Sequence, residues 1–330
     1  MPTTTLPHRK LGQNGPQVSA IGLGCMSLSG IYGSSDDAAV PDFIRYAIDQ
    51  GIDFLDSADM YGWGHNEELL GRALKGLRDK VVLATKFGQV KTATGQGVDG
   101  RPEYVQAACE ASLKRLGIET IDLYYQHRID PDVPIEDTVG AMARLVEQGK
   151  VRYLGLCEAR PETIRRAHRV HPLVAVQTEY SLLYRSEAEE TLTTTRALGI
   201  SFVAYSPLGR GFLTGSIHSP ADIAGDRRGD HPRFAGDNFA HNRDLVVRIE
   251  AIAREKACTP AQLVLAWLLA QGQDIVPIPG TKQRARVEEN IGALAVKLSP
   301  EELSRVSAAI PPGAVAGAHY PAGAMKAVYK

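Results

Sequence analysis

Eight short apolar segments, each followed by at least one helical pattern, predict an α/β chain folded as a (β/α)8 TIM barrel. The segments are residues 21–25, 52–55, 81–85, 121–126, 153–157, 174–178, 201–205 and 275–277. A small hairpin precedes them, no linker interrupts the alternation, and 1–330 reads as one domain. With 330 residues and 44% apolar composition, the chain can bury a core of that size.

The N-terminal β-hairpin is expected where Arg9-Lys10-Leu11-Gly12 and Gln17-Val18-Ser19-Ala20 flank Gln13-Asn14-Gly15-Pro16, a turn-forming stretch. The first buried strand, 21–25, leads to a helix over 36–50 that Gly51 closes. A helix over 66–77 separates the second and third strands. The helix over 102–116 carries Val105, Cys109, Leu113 and Leu116 on one face. Ile135, Val139, Met142 and Val146 form the stripe of a helix over 135–148. Helices over 161–171, 187–198, 242–256, 260–271 and 284–294 complete the alternation. Residues 208–240, rich in Gly, Asp and Arg, read as a long mobile loop after strand seven, placed as a lid. The small-residue tail, 311–330, reads as irregular chain packed over the barrel mouth.

Composition excludes several function classes. A formal net charge of −1 gives no reason to expect nucleic acid or an acidic membrane as partner. The longest apolar run, 263–270, is too short to span a bilayer, and the first residues carry no apolar signal segment. Cys25, Cys109, Cys157 and Cys258 show neither a CxxC pair nor metal-ligand spacing, so reduced thiols in a cytoplasmic protein are expected.

Three strands end on groups that chemistry can use. Segment 52–55 runs out at Asp56, with Tyr61 in the following loop; 81–85 leads into Lys86, and 121–126 into His127. A barrel gathers such strand ends on one face. Taken singly, Asp56 could cap a loop, Tyr61 could be a half-buried aromatic, Lys86 a solvated charge and His127 a structural histidine. Taken together on successive strands, they form a set that can protonate a carbonyl. A phenol with its ordinary pKa of about 10 is a poor proton donor at neutral pH. Lys86 beside Tyr61 would lower that value, and Asp56 would keep Lys86 charged despite burial. His127 would hydrogen-bond the carbonyl oxygen and fix its orientation. None of the four supplies a hydride, so a cofactor is required.

Ile21-Gly22-Leu23-Gly24-Cys25-Met26 contains GxG, but the third glycine is misplaced and no acidic residue follows at about 20 residues. A better nucleotide site is Ile278-Pro279-Gly280-Thr281-Lys282, which follows strand eight and enters a helix carrying Arg284 and Arg286. The plainer alternative is a basic, solvated helix start.

These residues resemble the aldo-keto reductase superfamily, whose Asp-Tyr-Lys-His tetrad is matched by Asp56, Tyr61, Lys86 and His127. The likeness extends over nearly the whole chain, through 140–156, Val176-Gln177-Thr178-Glu179-Tyr180-Ser181, Ala204-Tyr205-Ser206-Pro207-Leu208-Gly209-Arg210-Gly211 and 278–290. His319-Tyr320-Pro321 is similar to the tail of the bacterial, fungal and plant branch. The resemblance implies NADPH-dependent reduction of an aldehyde or ketone, with Tyr61 as general acid and a small-molecule carbonyl as substrate. It implies that Tyr205 stacks on the nicotinamide and Gln177 holds its carboxamide. Ser206, Pro207, Leu208, Gly209, Arg210 and Gly211 would line the pyrophosphate. Thr281, Lys282 and Arg286 would take the 2′-phosphate, Glu289 and Asn290 the adenine, and Gly280 would also touch the cofactor. Gly24, Cys25 and Met26 would border the cofactor, while Tyr32, Trp63 and Phe87 would wall the substrate pocket.

One position departs from the pattern. Where much of the superfamily places Ser-Asn on the carboxamide, this chain has Cys157-Glu158, and a thiol is a weak hydrogen-bonding group. Two other function classes compete with the reductase. One is a regulatory subunit that binds NADPH with little turnover, against which the intact tetrad argues. The other is a Schiff-base aldolase using Lys86, disfavoured if Asp56 keeps that amine charged.

Overall fold

The structure, a computed structural model, describes residues 5–93, 95–325 and 328–330. Its strands are β1 (His8–Lys10), β2 (Gln17–Ser19), β3 (Leu23–Gly24), β4 (Phe54–Asp56), β5 (Val82–Phe87), β6 (Gln89–Thr92), β7 (Gly95–Val98), β8 (Ile121–Gln126), β9 (Val151–Cys157), β10 (Leu173–Glu179), β11 (Ser201–Tyr205) and β12 (Ile275–Pro277). Eight of them form one parallel sheet in the order β3-β4-β5-β8-β9-β10-β11-β12. The edges meet through a parallel bridge between Gly24 and Gly280, and Gly22 N donates to Pro277 O at 3.0 Å. A Cβ on Gly24 would lie 2.9 Å from the Ile278 carbonyl oxygen, so this closure needs glycine. The predicted barrel is present.

Each barrel strand sends alternate side chains inward and outward. On β5, Val82, Ala84 and Lys86 point to the barrel interior, while Leu83 and Phe87 join the helix-facing core. The interior holds Phe54, Leu123, Tyr125, Cys157, Ala175, Val203 and Val276, with Leu11 and Val18 of the β1–β2 hairpin plugging its lower end. Arg9 from that hairpin donates to the carbonyls of Gly272 at 2.8 Å and Leu269 at 3.0 Å, satisfying chain ends beside β12.

The outer layer is α1 (Val40–Asp49), α2 (His65–Ala73), α3 (Pro102–Leu116), α4 (Ile135–Glu147), α5 (Pro161–Val170), α6 (Ser186–Leu198), α7 (Gly236–Glu255), α8 (Pro260–Ala270) and α9 (Arg284–Gly292). Two further helices, α10 (Pro300–Ala309) and α11 (Ala322–Met325), and the antiparallel β6–β7 hairpin lie outside the sequence expectation. Among the described residues, no helix is long and apolar enough to cross a membrane.

The stretch after β11 corrects the picture of one irregular loop. It folds into successive 3-10 turns around Phe212, whose ring lies 5.1 Å from that of Phe234 and 5.3 Å from that of Phe239. Helix α7 begins at Gly236, ahead of the expected start, because Phe239 supplies an apolar contact one turn earlier. The tail does pack over the mouth: Tyr320 OH lies 3.2 Å from Tyr205 OH, and Lys330 N donates to Glu158 O at 3.1 Å.

Candidate active site

Asp56 ends β4, beside Ala84 of β5 in the register, and Lys86 lies two residues further along β5 on the same inward face. Lys86 Nζ forms an ion pair with Asp56 Oδ1 and donates to Ser57 O at 2.7 Å and to Tyr61 OH at 3.3 Å. All three ammonium donors therefore have acceptors, as a buried charge requires. Asp56 Oδ2 accepts from Gln177 Nε2 at 2.7 Å, so the amide expected to face the nicotinamide also supports the tetrad. The His127 ring meets the edge of the Tyr61 ring, with centroids 5.8 Å apart at 83°. His127 N donates to Phe87 O at 2.7 Å, while its Nδ1 is buried without a protein partner. The structure thus brings all four predicted catalytic residues together.

Burial governs the electrostatics. It pushes the Tyr61 phenol up to about 12, and Lys86 opposes this without reversing it. The expectation that Lys86 brings Tyr61 below its ordinary value is therefore corrected for this state. Burial alone would drive the proton from Lys86, but Asp56, with Tyr61 and Cys157 behind it, holds the amine above its usual value. Burial, followed by the charges of Arg128 and Lys86, lowers His127 well below the ordinary imidazole range. The set presents a protonated phenol, a charged amine and a neutral imidazole.

Around the mouth, several expected cofactor residues already have protein partners. Arg210 pairs with Glu179 at 3.2 Å and places its guanidinium 4.9 Å from the Tyr320 ring centroid. Glu179 also receives Arg233 at 3.0 Å, and His319 Nε2 lies 3.7 Å away. Ser206 and Arg210 adopt left-handed φ of 47° and 58°, which turns 206–211 sharply out of β11 through Pro207, Leu208, Gly209 and Gly211. Lys282 Nζ donates to the carbonyls of Tyr32 at 3.1 Å and Gly33 at 3.0 Å. Arg286 pairs with Glu289 at 2.5 Å, Thr281 accepts from Gln283 N at 3.1 Å, and Asn290 is buried on α9.

Residues 20–311 match the profile of the Aldo/keto reductase family. The chain belongs to that family. It is 50% identical over 317 residues to a probable aldo-keto reductase 1 of Glycine max, covering 94% of this chain and 91% of the relative. Among solved structures it is similar to the glycerol dehydrogenase of Gluconobacter oxydans, with a TM-score of 0.82, 28% identity and coverage of 93% and 96% of the two chains. The holo form of an aldo-keto reductase from Bacillus halodurans superposes with a TM-score of 0.78 at 28% identity, covering 96% of this chain and 100% of the other. Membership implies oxidoreductase chemistry at a carbonyl.

Within this aldo/keto reductase, two side chains sit apart from their expected place. Phe87 is not a pocket wall: it stacks on Tyr124 at 4.9 Å in the helix-facing core, because its neighbour Lys86 takes the inward position. Cys25 is buried against the helices, so only its backbone borders the mouth, with Cys25 N donating to Asp56 O at 2.8 Å; Met26 opens the next turn. Cys157 is packed in the barrel interior. Trp63 stays exposed at φ 54°, with Lys91 of β6 4.8 Å from its ring centroid, and Arg228 lies 5.5 Å from the Tyr32 ring centroid.

The sequence reading passed over Arg128 and Arg233, and gave Glu179 and His319 no role of their own. The signal that would have found Arg128 and Glu179 is the one used for the tetrad, a charged group at the end of an apolar strand. The mouth fits a nicotinamide dinucleotide. Buried polar atoms there, including His127 Nδ1 and Arg210 Nη1, lack protein partners, while Lys282 and Arg286 are each tied to protein oxygens.

Proposed function

We propose that this protein is an NADPH-dependent carbonyl reductase of the alcohol dehydrogenase (NADP+) type, working on small aldehydes or ketones in the cytoplasm. The observation that carries this reading is the buried Asp56–Lys86–Tyr61 chain of contacts, ending beside a neutral His127. Bound NADPH supplies the hydride. His127 donates a hydrogen bond from its neutral ring to the substrate oxygen, which orients the carbonyl. Tyr61 hands its proton to that oxygen as negative charge develops there. Lys86 stabilises the resulting phenolate through charge, and Asp56 with Gln177 fixes Lys86 for this work.

Tyr205 would stack on the nicotinamide, and 206–211 would follow the pyrophosphate. Thr281, Lys282 and Arg286 would take the 2′-phosphate, exchanging their present acceptors for it, and Glu289 and Asn290 would meet the adenine. Residues 1–330 act as one catalytic domain in this reading. Unpaired cysteines accord with a reducing compartment. Schiff-base chemistry at Lys86 is disfavoured, since an amine held protonated is no nucleophile.

The test is NADPH oxidation against a panel of aldehydes, ketones and quinones, with Tyr61→Phe alongside. Turnover by the wild type should fall about 10²–10⁴-fold in the variant while NADPH affinity holds. Tight NADPH binding without turnover on any carbonyl would favour a regulatory subunit. Near-native turnover by Tyr61→Phe would remove Tyr61 from its role.

A further inference from the structure

Helix α2 follows the Tyr61 turn and opens on two polar side chains that are fully buried, Asn66 and Glu67. Glu67 accepts from Thr85 Oγ1 at 2.6 Å and from Arg115 Nε at 2.7 Å, on the helix-facing side of β5. Asn66 reaches the other way, toward the end of β4. Its Oδ1 accepts from Ser57 Oγ at 2.7 Å, and its Nδ2 donates to Cys25 O at 2.9 Å and to Ser29 Oγ at 3.2 Å. A carbonyl can only accept, so the Cys25 contact fixes which end of the amide is Nδ2. Oδ1 is thereby left for the Ser57 hydroxyl. Both N–H groups of the amide are used, in a place where an unmade hydrogen bond is costly.

These bonds close a ring beside the tetrad's carboxylate. Cys25 N donates to Asp56 O at 2.8 Å, Cys25 O accepts from Asn66, Asn66 accepts from Ser57, and Ser57 follows Asp56 in the chain. Ser57 N adds a bond to Ala84 O on β5 at 2.9 Å. Ser57 is thus held by its N–H and its hydroxyl, and its carbonyl accepts from Lys86 Nζ at 2.7 Å. Tyr61 OH, at 3.3 Å, is the longest of the ammonium's contacts. The longest contact is the first to go when an anchor shifts. An ammonium no longer fixed by Ser57 would settle toward Asp56 and away from the phenol. Among the described residues, Asn66 bonds no tetrad side chain, and it acts on Lys86 only through Ser57.

We propose that Asn66 is a positioning residue for proton transfer: by fixing Ser57 it holds the carbonyl that keeps the Lys86 ammonium beside the Tyr61 oxygen. This rests on the reading of Tyr61 as the proton donor. With the ring broken, all four tetrad side chains remain, but Lys86 no longer stabilises the phenolate fully as the proton leaves. The transition state then carries more negative charge on the substrate oxygen. Carbonyl compounds that stabilise this charge themselves lose less rate than those that do not.

Two aldehydes of similar size, 4-nitrobenzaldehyde and 4-methoxybenzaldehyde, expose such a loss, since the nitro group withdraws electron density and the methoxy group supplies it. Single-turnover rates of NADPH oxidation with each are measured for wild type, Ser57→Ala, Asn66→Ala and the double variant. Tyr61→Phe is the reference for lost proton donation. Each single variant should slow the methoxy compound about tenfold, the nitro compound clearly less, and leave the NADPH dissociation constant unchanged. The double variant should be no slower than the slower single one, because both changes cut the same link. A merely structural Asn66 would lower the active fraction, slow both aldehydes by one factor and overturn the proposal, whatever the melting temperature does. Effects that multiply in the double variant would place Asn66 outside the path through Ser57 and overturn it too. The readout is a ratio of two rates from one preparation, so partial folding does not disturb it. If Asn66→Ala does not fold at all, Ser57→Ala, which removes a single oxygen atom, decides the case by the same ratio. A Tyr61→Phe protein that shifts the ratio while Ser57→Ala and Asn66→Ala keep the wild-type one overturns the positioning role alone. A Tyr61→Phe protein with the wild-type ratio, or wild type that reduces neither aldehyde, overturns the proton-donor reading and this proposal with it.

Discussion

Gln177 on β10 donates its side-chain amide to Asp56 on β4 at 2.7 Å, from a position 121 residues away in the chain. Both Asp56 oxygens are thereby engaged, one by Lys86 and one by Gln177. Replacing Gln177 with Met would leave a buried carboxylate oxygen without its donor. The expected cost is about 1.5–3 kcal/mol of folding stability, the range for a hydrogen bond to a charged group. Turnover should fall as well, because Asp56 no longer fixes Lys86 under the phenol. Urea denaturation with unchanged midpoint and slope would show that the contact contributes nothing.

The partner of Gln177 could not be read from sequence, whereas the tetrad could. Asp56, Lys86 and His127 each follow an apolar run, and a barrel places such ends together whatever the loops do. Phe87 was misread, although the inward position of Lys86 already puts its neighbour outward. Helix α10 was missed although its start carries a signal: Ser299 and Glu302 form a capping box there. The β6–β7 hairpin was not, because its half-exposed and exposed residues carry no apolar alternation. The acceptors of Lys282 and Arg210 depend on which loops meet across the mouth, and that is a tertiary property.

Glu179 makes acid stability a test of the mouth. Burial alone would raise this carboxyl, but Arg210, His319 and Arg233 outweigh it and hold it down at about 2. A folded value below the unfolded one stabilises the fold fully above the unfolded value and loses that contribution as pH falls through the folded one. The window therefore runs from about pH 4.5 down to about pH 2, and the contribution is about 3 kcal/mol. The stability difference between wild type and Glu179→Gln should shrink by roughly this amount across the window. A difference that stays constant from pH 6 to pH 2 would mean that Glu179 is not held down by Arg210 and Arg233.

Lys282 and Arg286 should set a preference for NADPH over NADH. Each is tied to protein oxygens here, Lys282 to loop carbonyls and Arg286 to Glu289, so binding exchanges partners rather than filling bare charges. The gain per residue should consequently lie toward the low end of the range for charge-assisted contacts, about 1.5 kcal/mol. Lys282→Met and Arg286→Met are each expected to weaken NADPH about tenfold and to leave NADH unchanged. Titrations at fixed ionic strength decide this, and equal loss for both dinucleotides would place the two cations elsewhere than at the 2′-phosphate.

Cys157 separates a packing role from a binding role. The sequence alone leaves it either facing the carboxamide or packed as a small hydrophobe, and the structure puts it among Tyr125, Ala175 and Val203 with 1% exposure. Burial, only partly offset by Lys86 and Arg128, pushes its thiol well above the ordinary range, so it stays neutral beside the Asp56–Lys86 pair. Serine at this position would exchange a packed thiol for a buried hydroxyl, and a buried hydroxyl left unsatisfied costs about 1–3 kcal/mol. Cys157→Ser should therefore melt at lower temperature while binding NADPH as the wild type does. Cys157→Ala should fall less far, since it leaves a small void but no stranded hydroxyl. If serine instead tightened NADPH with an unchanged melting temperature, Cys157 would face the cofactor and the interior placement would carry no packing role.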